Sequence, residues 1–195
     1  MKLVIASRNK HKVAEIQAIL SQVSDLEIAS LDGYDVPEII EDRDTFLGNA
    51  SKKALETAKY INAAVLADDS GLMVDALNGA PGVYSARYAG EGASSAQLCE
   101  KLLSELKNVP PEKRTAHFVT TLVIAAPDGK ILHTAEGKVD GVITEAMHGA
   151  NGFGYDPVFY CPPLNKTFAE LEPAEKNQHS HRWLALQNLL VKLRQ

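Results

Sequence analysis

Two apolar runs of strand length, Leu3-Val4-Ile5-Ala6 and Ala63-Ala64-Val65-Leu66-Ala67, each break abruptly into charge. The first is followed by Ser7-Arg8-Asn9-Lys10-His11-Lys12, the second by Asp68-Asp69-Ser70-Gly71. Buried strands alternating with helix-periodic segments predict an α/β protein, in which a sheet is covered by helices. Ligands of such sheets sit in the crevice outside the carboxyl ends of the strands. A basic cluster is thus expected at the mouth of one strand and an acidic pair at the mouth of another. Lysine and arginine there can hold phosphate, and carboxylates can hold a divalent cation. Together they point to metal-dependent chemistry on a phosphorylated small molecule.

The remaining pattern fits that class. Val13, Ile16 and Leu20 recur at helical spacing, so a helix starts near Asn9 or Lys10. A polar, turn-rich stretch, 30–44, leads to a second helix with Leu47, Ala50, Ala54, Ala58 and Ile61 on one face. Past the aspartates comes a short apolar piece, Leu72-Met73-Val74, and then a loop, 79–90, with embedded aromatics. A third helix is predicted from Ser94, with Gln97 completing a capping box and Pro110-Pro111 stopping it. Strands 118–126 and 131–139 flank the turn signal Pro127-Asp128-Gly129 and read as a hairpin. After a glycine-rich loop, 149–156, the last helix starts near Ser180 and buries Trp183, Leu186, Leu190 and Leu193. Helices alternating with strands, plus one hairpin, imply a mixed sheet, and no repeat or linker divides the chain, which reads as a single domain, 1–195.

A length of 195 residues can bury a real core, and a charged fraction of 23% is ordinary for a globular protein. The formal charge of −5 argues against a nucleic-acid-coating protein, although a small anion needs only a local basic cluster. Two cysteines, Cys99 and Cys161, are too few for a disulfide framework and suit a reduced, cytoplasmic protein. The apolar stretch after Met1 is too short for a signal peptide, and no segment reaches the roughly 18 apolar residues that span a bilayer.

Lys10, His11 and Lys12 fall in the first turn of the first predicted helix, with Arg8 just before it, and His181 and Arg182 in the first turn of the last. Cations at a helix N-terminus are locally unfavourable, and a bound anion reverses that sign. Solvated surface charge is the alternative for any one of them. Ser7 and Asn9 can cap the helix or contact phosphate. Adjacent Asp68 and Asp69 would point to opposite faces of a continuing strand, so one can face a ligand while the other binds elsewhere. Glu41 belongs to a further acidic stretch with Glu38, Asp42 and Asp44, which also reads as a solvated loop, Asp42 and Asp44 more so than Glu41. No P-loop and no dinucleotide fingerprint occur. Phe153 and Tyr155 put rings in the glycine-rich loop, where they either stack on a base or pack in the core.

Taken in order, these segments resemble the inosine/xanthosine triphosphate pyrophosphatases, the RdgB-like enzymes that clear deaminated purine nucleotides. Ser7 to Lys12 is similar to that family's phosphate loop, Ala67-Asp68-Asp69-Ser70-Gly71-Leu72 to its acidic centre, and 79–87 to a long signature loop. Gly152-Phe153-Gly154-Tyr155-Asp156-Pro157 and Ser180-His181-Arg182, with Lys176 between them, are similar to its base-recognition elements. The resemblance implies an elongated α/β fold with a central mixed sheet flanked by helices and two lobes around a substrate cleft, usually as a homodimer. It implies that Lys12 and the chain around Ser7, Arg8, Asn9, Lys10 and His11 hold a triphosphate. Asp69 would be the general base beside magnesium, with Glu41 and Asp68 completing the metal environment. Ser70 would contact substrate, Phe153, Gly154, Tyr155 and Asp156 would line the base pocket, and Lys176, His181 and Arg182 would contact base and phosphates. The implied reaction yields a monophosphate and pyrophosphate. A nucleotide-binding protein without catalysis, or a hydrolase removing only the terminal phosphate, are the rival readings.

One segment departs from the family pattern. Where the family usually reads Glu-x-Gly-x-Thr-Phe-x-Glu-Asn-Ala, this chain has Arg43 for the glycine and Gly48 for the second glutamate. Gly48 removes the acid that would complete a capping box with Thr45, together with any metal or water contact from that position.

Overall fold

The computed structural model describes residues 2–21 and 26–194. Its strands are β1 (Lys2–Ile5), β2 (Glu27–Ala29), β3 (Val65–Val74), β4 (Thr115–Ala125), β5 (Ile131–Ile143), β6 (Phe159–Cys161) and β7 (Lys166–Thr167). Its α-helices are α1 (Lys10–Leu20), α2 (Phe46–Ile61), α3 (Ser95–Glu105), α4 (Pro173–Lys176) and α5 (His181–Leu193). The strands form one seven-stranded sheet in the order β2-β1-β3-β4-β5-β6-β7. β1 is parallel to both β2 and β3, whereas β6 is antiparallel to β5 and β7. The mixed α/β sheet flanked by helices is the architecture the sequence pattern predicts.

The chain divides into two compact units, 1–69 with 120–137 and 181–195, and 70–119 with 138–180. In the first unit the alternation of strand side chains sorts the core into two layers. Leu3, Ile5, Leu66, Leu122 and Ile124 turn to one face and pack under Ile16, Ile19 and Leu20 of α1 and Ala185, Leu186 and Leu189 of α5. Val4, Ala6, Val65, Ala67, Val123 and Ala125 turn to the other and meet Ala50, Ala54 and Ala58 of α2. The alanine stripe lets α2 approach the sheet closely. On the α5 side, Gly137 serves the same end: a Cβ there would lie 2.1 Å from the carbonyl oxygen of His181 and 2.3 Å from the nitrogen of Ala185.

The second unit is built around Phe118, Phe159 and Phe168, with centroids 4.5 Å apart for Phe118–Phe159 and 5.0 Å for Phe159–Phe168. Leu98, Cys99 and Leu102 of α3 close over them, joined by Tyr155, Val158 and Leu171. The capping box of Ser94 and Gln97 is formed, and it fixes where α3 starts.

Two expectations need correction, and one strand carries no signal in the sequence. β3 does not end at Ala67; it runs on through Asp68-Asp69-Ser70-Gly71 to Val74. The acids are buried mid-strand, 1% and 4% exposed, because cations and an amide meet them there and Leu72 and Val74 still bury beyond them. Trp183 and Leu193 are half-buried at the margin of the α1–α5 layer, and Ala185 and Leu189 take their place inside it. β2, a three-residue edge strand, has no apolar run to announce it.

Candidate functional site

Strand register assembles the first group of charged residues. Ile5 of β1 pairs with Leu66 of β3, so β1 ends just where Asp68 and Asp69 follow on its neighbour. The loop leaving β1 therefore lies beside the acids, at the carboxyl end of that strand. Asn9 caps α1, its side chain accepting from the backbone N–H groups of His11 (3.0 Å) and Lys12 (3.3 Å). That cap starts the helix at Lys10 and carries Lys12 toward the strand.

Because neighbours on a strand face opposite ways, Asp68 shares the face of Leu66 under α1 and α5, and Asp69 shares the face of Ala67 under α2. The Lys12 ammonium stands 3.0 Å from Asp68 Oδ2, and the Arg182 guanidinium lies 3.9 Å from the same oxygen while also meeting Glu15. Burial alone would raise Asp68, yet Lys12, Lys53 and Arg182 hold it well below the usual carboxylate range. On the other face, the Asn49 amide donates to Asp69 Oδ2 at 3.0 Å. Burial, and then the charge of Glu41, push Asp69 up to about 6, against the pull of Lys12, Lys53 and Asn49. Lys53, one turn beyond Asn49 on α2, donates to Glu41 at 2.6 Å; burial opposes its charge, but Asp68, Glu41 and Asp69 raise it. Two adjacent aspartates are thus driven apart: one is a fixed anion, the other a carboxyl that exchanges protons near neutrality.

The rest of the basic run is deployed differently. Arg8 donates to the Val36 carbonyl. Ser7, Arg8 and Lys10 line a cavity of about 480 Å³ with Gln17, Asp32 and Tyr34. His11 is exposed at the start of α1, and His181 is buried at the start of α5.

A second group gathers within the second unit. Asp156 Oδ2 accepts from the Phe153 backbone N–H at 2.9 Å and from Lys176 at 2.6 Å. The same ammonium lies 4.7 Å from the centroid of the Phe153 ring, so one buried lysine ties ring and carboxylate together. Tyr155 belongs to the core: it is 3% exposed, and its hydroxyl donates to the Ser85 carbonyl at 2.8 Å. Phe153 keeps a partly exposed ring. Ser70, half-buried, follows Asp69 on β3.

Asn49 and Lys53 are the residues that the motif reading passes over. Their signal is an i, i+4 pair on the face of α2 that also carries buried alanines. Among the described residues no group of three or more His, Cys, Asp or Glu side chains is arranged to hold a metal. Asp69 and Glu41 still suit a hard dication, which takes one or two carboxylates together with phosphate oxygens and water. Burial lifts Asp69 most, and the repulsion from Glu41 that adds to it is the part such an ion would relieve.

The Ham1 family model matches residues 3–192. The chain belongs to the Ham1 family. Among its relatives, a dITP/XTP pyrophosphatase of Leuconostoc mesenteroides is 54% identical, covering 99% of this chain and 96% of the relative. Another, from Shouchella clausii, is 51% identical over 95% of this chain and 92% of the relative. The solved HAM1 protein of Coxiella burnetii superposes with a TM-score of 0.90 at 40% identity, covering 100% of this chain and 98% of that one. In this Ham1 chain the aspartate pair, the α1 loop and the glycine-rich loop all fall inside the matched span.

Proposed function

We propose that this chain hydrolyses deaminated purine nucleoside triphosphates (dITP, XTP and ITP) to the monophosphate and pyrophosphate. The observation that carries the reading is the opposed state of Asp68 and Asp69, one a buried anion fixed by Lys12, the other lifted to about 6. Relatives about half identical along nearly the whole chain bear the name dITP/XTP pyrophosphatase, which favours the same reaction here.

In this mechanism the phosphates are taken by Lys12 and by the chain from Ser7 to His11. Asp69 and Glu41 would hold a divalent cation, magnesium, with Asp68 completing the acidic surroundings; bound there, it would supply positive charge to offset that of the departing pyrophosphate. Asp69 orients a water for attack at the α-phosphorus and accepts its proton. Arg182 acts on this chemistry through Asp68. The base is assigned to Phe153, which stacks on it, in a pocket lined by Gly154, Tyr155 and Asp156 with Lys176 as a donor; His181 is a further polar contact and Ser70 contacts substrate. Hypoxanthine and xanthine offer a 6-oxo acceptor to that donor, whereas adenine offers an amine and leaves it unsatisfied. A single nucleotide-hydrolysing domain, 1–195, acting as a cytoplasmic homodimer, completes the proposal.

Incubation with magnesium and ITP, XTP, dITP, ATP or GTP, with both products identified, tests it. Monophosphate and pyrophosphate from the first three are expected. Orthophosphate with a diphosphate would make the chain a different phosphohydrolase, and saturable binding without pyrophosphate would make it a binding protein.

A further inference from the structure

Both backbone polar groups of Gly154 are claimed by one turn of α3. The Gly154 N–H donates to Ser95 Oγ at 2.8 Å, and the Cys99 thiol donates to the Gly154 carbonyl at 3.3 Å. Ser95 and Cys99 stand four residues apart, so they share a face at the N-terminal end of the helix. That end is itself immobilised by the Ser94–Gln97 capping box. Gly154 sits at φ +61°, a left-handed conformation that suits glycine, so its flanking peptides are aimed in a direction few other residues would hold. Cys99 is fully buried, and burial, with the charges of Asp156 and Glu100, pushes its thiol up to about 12. The sulfur therefore stays protonated and serves as a donor rather than a nucleophile.

We infer that Ser95 and Cys99 are positioning residues for base recognition, clasping Gly154 so that the Phe153 ring is presented at a fixed angle. The inference rests on the proposed stacking of Phe153 on the purine. Phe153 is held from its other side by Asp156 and Lys176, so the α3 clasp supplies the second of two restraints on the ring. Removing it lets the ring reorient without touching Asp69 or Lys12.

Steady-state kinetics of Ser95→Ala and Cys99→Ala with ITP and ATP test this. Each variant is expected to raise KM for ITP about 3- to 10-fold, the worth of one hydrogen bond, with kcat within about twofold of the parent. The preference for ITP over ATP should narrow in step. Cys99→Ser and Ser95→Thr keep a hydrogen-bonding side chain at each position and should recover most of the lost affinity. Parent KM and parent ITP/ATP preference in both alanine variants would overturn the clasp, as would a loss carried by kcat that neither conservative variant recovers. Phe153→Ala, run in parallel, separates the two levels. If it leaves KM unchanged, the stacking assignment itself is wrong; if it raises KM while the α3 variants do not, only the clasp is.

Discussion

The Asn49 side chain bridges two elements that the sequence keeps apart: its amide donates to Asp69 Oδ2 at 3.0 Å and its oxygen accepts from the Arg43 backbone N–H at 2.9 Å. A donor on a carboxylate stabilises its charged form, so Asn49→Ala should raise the carboxyl of Asp69 further. The acidic limb of the kcat/KM profile is expected to move to higher pH, with kcat/KM at pH 7 falling about 2- to 10-fold. A pH–rate profile of the variant checks it; an unmoved limb would detach Asn49 from the proposed base.

Asp69→Asn should abolish turnover and yet stabilise the metal-free fold. The group's folded-state value lies above its unfolded one, so between the two the native state binds more protons and stability falls as pH rises. Above about pH 6 the parent carries a charge that burial and Glu41 oppose, and the amide does not. The gain at pH 8 in chelator is expected to be at most about 3 kcal/mol, shrinking toward pH 5. Urea titrations at the two pH values measure it.

Asp68 has the opposite sign. Its folded value is depressed, so it contributes stability that is complete above about pH 4 and lost as pH falls through the folded value. Lys12→Gln leaves that buried anion to Arg182 and Lys53 and should cost about 1–3 kcal/mol. Lys12→Met with Asp68→Leu removes both charges and should restore most of the stability without restoring catalysis. Equilibrium unfolding of the single and double variants distinguishes a buried pair from a surface one, for which both changes would be near zero.

Arg43 and Gly48 should behave as one unit. A Cβ at position 48 would lie 2.9 Å from Arg43 Cβ and 3.3 Å from Arg43 Cγ, atoms too near the backbone to move aside cheaply. The Gly48 N–H already donates to Thr45 Oγ1 at 3.0 Å, half of a capping box. Gly48→Glu alone is therefore expected to destabilise. In an Arg43→Gly background it should instead stabilise, by about 1 kcal/mol from helix propensity and the completed cap. A double-mutant cycle in thermal unfolding reads the coupling; additive effects would mean the two departures are unrelated.

What could be read from the sequence follows from how local each signal is. The Asn9 cap, the Ser94–Gln97 box and the buried strand at Leu3-Val4-Ile5 depend on neighbours within a few residues, and all of them stand as read. The opposite facing of Asp68 and Asp69 follows from strand geometry in the same way. The length of β3 was not legible, because charge normally ends a buried strand and the partners that permit it here come from α1, α2 and α5. Asn49, Lys53, Ser95 and Cys99 escaped notice for a related reason. Each looks ordinary on its own helix and acquires a role only against another element.

The ion pair between Glu15 and Arg182 joins positions 167 residues apart. Contacts so distant along the chain close only after most of the entropy of ordering has been spent. The electrostatic balance around Asp68, which leans on that same arginine, is thus an outcome of completed folding and not something a fragment can retain. Pyrophosphate release by this protein would consequently double as a gauge of refolding, returning with the tertiary structure and not with the helices.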